Sequence, residues 1–338
     1  MSQNTLGKFV IGMKRSVILA ACLFAAACSQ GPRELSAEDL EMRRAELDTQ
    51  LADPVARTRL IAKVFGSTEK MERHAFLKFH VFGFTGEGNL IPFFTMNNYV
   101  IQRWSPGKDN SFDVQHFEVA YYSKFDTNEA ISEWKNPLTD EVIELPHFVL
   151  GPVPRSYSPN MPKDAATFAP DPLNITMIGD RVYIPTLTRL RVPGMLSPEE
   201  WGPYGGASEN YWDSMLVYSA NIDDVLDEKK THVPAEMHMQ NLVSWAPYLK
   251  LGNTPGRTMV RAYGQHISGF DALPADIRSN LEKYTPEIFD VDSWKETRID
   301  AVEFMQSLME KREKGTLDID QPGYKAPRVK RFDELSDF

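Results

Sequence analysis

Residues 75–104 read AFLKFHVFGF-TGEGN-LIPFFTMNNYVIQRW, and this stretch decides the fold. Two runs of aromatic and β-branched residues flank Thr85 to Asn89, a short segment of glycines, an acid and an asparagine. Bulky flat or branched side chains suit a pleated surface, while glycine and asparagine accept the backbone angles of a reverse turn. The reading is a strand over 75–84 and a longer strand returning over 90–104. After SPGKDN comes FDVQHFEVAYYSKF, residues 112–125, a third strand, so that turns recur near positions 87, 107, 127 and 138. No helical segment of roughly 10–15 residues separates these runs, which argues against a parallel sheet and for an antiparallel meander.

Further out, WKNPLTDEVIELPHFVLGPV (134–153) is a strand, a turn built on Asn136, Pro137, Asp140 and Glu141, and another strand. Six prolines between 152 and 172 predict a long irregular loop. Gly179-Asp180 is a two-residue hairpin signal between LNITMI and RVYIPTLTRLRV, and YWDSMLVYSA (211–220) is a further strand after a Gly- and Pro-rich loop. Helices are expected at both ends. One begins at Ser36 with Asp39 three residues on, a second at Asp53-Pro54, and a last one runs from about Asp292 to Gly315 with Trp294, Val302, Met305, Leu308 and Met309 inward. The fold class is therefore mainly β (α+β): an antiparallel meander forming a barrel or strongly curved sheet, with flanking N- and C-terminal helices.

A hydrophobic content of 42% is that of a globular chain, and a net charge of −10 argues against a nucleic-acid surface. Both cysteines, Cys22 and Cys28, stand near the amino terminus, so the folded part has no thiol for catalysis, zinc or a disulfide. From Met13 the chain reads MKRSVILAACLFAAACSQ: two basic residues, a short apolar run, small residues and a cysteine. This is the layout of a signal peptide over 1–27, and the run is too short to span a bilayer, which takes about 20 residues. Ala-Ala-Ala-Cys resembles a bacterial lipobox, making Cys28 the expected lipidated first residue of the mature protein, with Cys22 as the alternative. Residues 28–35 would be a tether, 36–315 one β-rich domain and 316–338 an extended charged arm. The expected location is lipid-anchored on the periplasmic side of the cell envelope, at the outer membrane.

The region from Asn241 to Pro274 carries Trp245-x-Pro247-Tyr248, a Gly252/Pro255-Gly256-Arg257 turn, a strand ending at Gly264, and Leu273-Pro274. Together with the strands Tyr99 to Trp104 and Glu118 to Tyr122 and the 134–153 stretch, it resembles DUF1838, a family of largely secreted bacterial and some fungal proteins without an established activity. The resemblance covers roughly residues 60–295. Where family members often carry Arg-Glu-Val, this chain has Phe117-Glu118-Val119.

In an extended strand His116, Glu118 and Tyr122 project to one side and Phe117, Val119, Tyr121 and Phe125 to the other. Either side can be the inner one. If it is the polar side, a His/Glu pair lines a cavity and can exchange protons, and Arg103 on the next strand is a candidate clamp for a carboxylate. His147, after a proline at a strand start, is a further catalytic candidate, while Tyr122, Trp134, Trp245 and Tyr248 are candidate ligand contacts. His74 and His80 share a strand face but have Lys78 between them, and Met237-His238-Met239 has no further ligand in view, so no metal site and no cofactor are expected. No nucleophile elbow, P-loop or dinucleotide fingerprint occurs. Aromatic strands and long loops lead to the expectation of an envelope lipoprotein that binds a hydrophobic or aromatic small molecule in a barrel pocket. A cofactor-free hydrolase or isomerase using His/Glu acid–base chemistry, and a structural lipoprotein without ligand, are the alternatives.

Overall fold

The computed structural model describes residues 35–160, 171–172, 174–194, 196–206 and 208–335. The expected signal peptide over 1–27 with Cys22, and Cys28 with the expected tether up to residue 34, lie outside the described residues. The chain divides into two units, Met1–Met42 and Arg43–Phe338. Of the first, only the residues from 35 onward are described, opening helix α1 (Ala37–Ala52). Ser36 and Asp39 form the expected reciprocal cap there, Asp39 N–H donating to Ser36 Oγ at 3.1 Å and Ser36 N–H to Asp39 Oδ2 at 3.2 Å.

In the second unit α2 (Pro54–Phe65) starts on Asp53, whose carboxylate accepts the N–H groups of Val55 and Ala56. Long strands follow: β1 (Met71–Thr85), β2 (Leu90–Pro106) and β3 (Phe112–Lys124). β4 (Glu133–Lys135) and β5 (Val142–Glu144) form a separate small hairpin, and β6 (Phe148–Tyr157) returns to the main sheet beside β3. Then come the short β7 (Asp171–Pro172) and β8 (Thr176–Ile178), followed by β9 (Arg181–Pro193), turning on Gly179-Asp180 as the sequence predicts. The remaining long strands are β10 (Glu209–Asn221), β11 (Glu236–Val243) and β12 (Gly256–Ile267), with the short helices α3 (Pro198–Trp201) before β10 and α4 (Ile222–Leu226) after it, and β13 (Arg298–Ile299) is a two-residue edge.

The sheet order is β13-β6-β3-β2-β1-β12-β11-β10-β9-β7, with β8 also on β9, and every strand pairing among the described residues is antiparallel. Two meanders thus meet where β1 pairs with β12, so the expected single run of neighbours becomes two. Among the described residues no pairing joins β13 or β6 to β7 or β9. The architecture is a mainly β α+β fold with an open strand order and flanking helices, and the expected closure into a barrel is not found.

Two other expectations change. The proline-rich stretch is strand as far as Tyr157. Pro152 and Pro154 are tolerated because β6 is nearly an edge, covered only by the two residues of β13, and its register with β3 shifts between His116 and Glu118. The last helix, α6 (Asp300–Glu313), begins well after Asp292, because a 3-10 segment (Pro286–Ser293) and β13 intervene; Val302 and Met309 are exposed.

Both faces of β3 are covered. On one, Tyr99, Ile101, Phe117, Val119, Tyr121 and Val149 pack under helix α5 (Ala275–Tyr284) and the 3-10 segment after it through Leu273, Ile277, Leu281, Ile288 and Val291. On the other lies the polar row of the candidate site.

Candidate functional site

Residues opposite one another in an antiparallel pair share a face. The register therefore puts Gln102 beside His116, Val100 beside Glu118, Asn98 beside Ala120 and Met96 beside Tyr122, all on the face away from α5. His116, Asn98 and Trp104 are buried. Four side chains form one directional chain of hydrogen bonds. Indole N–H is only ever a donor, so Trp104 Nε1 bonding Gln102 Oε1 at 3.1 Å fixes which way that amide points. Gln102 Nε2 then donates to His116 Nδ1 at 3.3 Å, which leaves the proton of a neutral imidazole on Nε2, facing Glu118 Oε2 at 2.8 Å. Asn98 Nδ2 donates to the other carboxylate oxygen at 2.7 Å, while its own Oδ1 is buried without a partner.

Electrostatics agree with this assignment. Burial lowers the His116 pKa and the nearby Arg155 lowers it further, against the pull of Glu118. Burial would raise that of Glu118, but the bond from His116, the bond from Asn98 and the charge of Arg155 outweigh it and leave it below the usual value. The pair is thus a neutral imidazole donating to a carboxylate. Glu118 is also the end of the chain that reaches accessible space: its side chain is 16% exposed, that of His116 7%.

A second carboxylate lies nearby. Asp300, half-buried at the start of α6, is pushed up to about 7, first by burial and then, after an opposing bond from the Ala301 N–H, by the charges of Glu118 and Glu303. The Tyr122 and Tyr248 hydroxyls lie close enough to influence one another, and burial raises both pKa values. Asn136, wholly buried, donates to Leu249 O at 3.0 Å and so ties the turn carrying Tyr248 to the turn before β5. Phe94 packs on Tyr122 at 5.1 Å and on Trp134 at 5.2 Å, and Phe93 on Trp134 at 4.8 Å and on Trp245 at 6.3 Å. The structure therefore gathers Tyr122, Trp134, Trp245 and Tyr248 into one aromatic group beside the polar row.

Arg103 is not part of it. It projects from the α5 side, paired with Glu72 at 2.9 Å and Asp292 at 2.6 Å and lying over the Phe117 ring. His147 is exposed, its ring 5.5 Å from Tyr284 of α5, and does not join His116 and Glu118. His74 bonds the Tyr99 hydroxyl at 2.9 Å and His80 meets Asp126 at 3.1 Å. Among the described residues no group of three or more His, Cys, Asp or Glu is placed to hold a metal ion. Asn98, Gln102, Trp104, Arg155 and Asp300 are site residues that sequence reasoning missed. A usable signal existed for the first two, polar residues four apart on a strand face that otherwise carries Phe94, Met96, Val100 and Trp104.

What the fold and site define is an antiparallel α+β protein with a buried, tautomer-fixed His–Glu pair beside an aromatic group. The family model for DUF1838, a protein of unknown function, matches residues 78–304, and the chain belongs to that family. A search of curated proteins gives no match.

Proposed function

We propose that the chain is a cofactor-free acid–base enzyme, a hydrolase or isomerase, acting on a small molecule whose apolar or aromatic body lies against Tyr122, Trp134, Trp245 and Tyr248 on the inner face of a strongly curved sheet. The observation that carries it is the pair of carboxylates driven apart: Glu118 held ionised by His116 and Asn98, Asp300 held protonated near neutrality. Two titratable groups whose surroundings separate their pKa values are the usual signature of a base and an acid working together. Glu118 takes a proton and Asp300 gives one; His116 holds Glu118 in place.

Curvature is supported by one side chain. Phe65 stacks on Tyr218 of β10 at 4.2 Å and meets Tyr157 of β6 edge-on at 5.7 Å. Five strands stand between β6 and β10 in the sheet order. At about 4.8 Å per strand a flat sheet would separate the two by roughly 29 Å. That one phenyl ring reaches both strands supports a sheet that wraps around the end of α2.

Carboxyl-carbon NMR across a pH titration tests the reading without knowledge of the substrate. Asp300 is expected to titrate near 7 in the wild type and lower in Glu118→Gln, where the neighbouring charge is gone. A wild-type midpoint in the ordinary carboxylate range, about 4, overturns the assignment. With a molecule recovered by native mass spectrometry as substrate, the same variant is expected to lose about 10²- to 10⁴-fold in turnover. The leader supports a further proposal, that the mature protein starts at a lipid-modified Cys28 on the periplasmic side of the envelope. Lipid labelling and the mass of the mature amino terminus check it, and an unmodified terminus beyond residue 28 rules it out.

A further inference from the structure

Arg155 stands on the polar face of β6, opposite Val114 and hence diagonal to His116 across the β3–β6 pair, within reach of a long side chain. It is half-buried, its Nε is buried with no hydrogen-bond partner, and the guanidinium lies close enough to the Tyr157 hydroxyl to oppose the rise in pKa that burial imposes there. Among the described residues no carboxylate is in ion-pair contact with it, although Glu118 is close enough to feel its charge. The other arginine considered for this role, Arg103, is already neutralised twice over on the opposite face. A half-buried guanidinium whose Nε has no partner, and which no carboxylate among the described residues touches, keeps donors free for the anion of a ligand. Its planar fork of donors matches the paired oxygens of a carboxylate or phosphate.

We propose that Arg155 is the anion clamp of this site and that its ligand carries a carboxylate or phosphate group, held by Arg155 while the reacting part of the molecule meets Glu118. This rests on the acid–base reading and adds the substrate class: an oxyanion joined to an apolar or aromatic body. It also gives β6, with its shifted register beside His116, a function in aiming Arg155.

Calorimetric titration of the full chain with benzoate, phenyl phosphate and the neutral isostere benzamide tests it. The wild type is expected to bind the better of the two anions at least about ten-fold more tightly than benzamide, the strength of a charge-assisted hydrogen bond. Which anion wins separates the carboxylate from the phosphate case. Arg155→Gln is expected to abolish the preference and leave benzamide binding unchanged. Equal binding of anions and amide by the wild type overturns the proposal, as do failure to bind any of the three and a preference that survives in Arg155→Gln. These readouts do not involve proton transfer, so an Asp300 that titrates normally sinks the acid–base reading while leaving the anion preference to stand or fall separately.

Discussion

His116 has both ring nitrogens engaged, Nδ1 with Gln102 and Nε2 with Glu118, so no lone pair is left to meet a substrate. Its effect is exerted through Glu118, which makes it a positioning residue. His116→Ala removes the largest favourable influence on that carboxylate, and the Glu118 midpoint should rise, measured by carboxyl NMR. Leaving a buried acceptor short of its donor should also cost about 1–3 kcal/mol, read from the urea midpoint. A side chain that merely filled space would lower stability without moving the Glu118 titration, and that outcome would refute the role. The two-residue spacing of His116 and Glu118 was legible because alternation along a strand is a local property. Asn98, Gln102 and Trp104 were not, because they meet the pair only through the β2–β3 register, a quantity that no single strand encodes.

At the scale of elements, the strands of the first meander were legible because their apolar runs are long and their turns carry glycine, asparagine or aspartate. Two boundaries failed for the same reason: local signals were overruled by neighbours. Prolines that read as a loop are accommodated in β6 because few of its N–H groups face another strand, and that error hid Arg155. The stretch from Asp292 reads as helical, yet Arg298 and Ile299 pair with Gly151 and Leu150 instead, so α6 starts at Asp300 and places that carboxylate at its first turn. The helix α5 went unread because only Ile277 and Leu281 mark its buried side. Helix α2 shows how a flanking element builds the site. Lys63, almost fully buried, donates to the carbonyls of Val225 and Asp227, each at 2.8 Å, and fastens the helix to helix α4 (Ile222–Leu226). Two residues on, Phe65 wedges between Tyr157 and Tyr218. A Cβ on Gly66 would stand 1.9 Å from Trp104 Nε1, so only glycine lets the end of α2 lie against the indole that orients Gln102. Packing of the helix end and orientation of the polar chain are therefore one constraint.

Across the whole molecule the buried ionisable groups act on stability with opposite signs. Burial lowers the pKa of His74 and His116 and takes His266 down to about 3, so unfolding exposes imidazoles that gain protons below about 6.5. In that window the unfolded chain binds more protons than the folded one, and stability falls as the pH falls, by up to about 1.4 kcal/mol per unit for each histidine. Asp300 works the other way. Folded, it keeps its proton up to about 7, whereas unfolded it would lose it near 3.8, so acidification between those values favours the folded state. His266 and Asp300 nearly cancel over the shared range, and the remaining histidines with lowered pKa values, His147 and His232 among them, tip the balance toward acid lability. Replacing Asp300 by asparagine removes the compensating proton uptake. Its urea midpoint should decline more steeply than that of the wild type between about pH 6.5 and 4, while at pH above 7 the variant should equal or exceed the wild type, since no charge is then confined beside Glu118. Parallel stability curves for the two proteins across this range would show that Asp300 titrates alike folded and unfolded, and would remove the acid from the proposed pair.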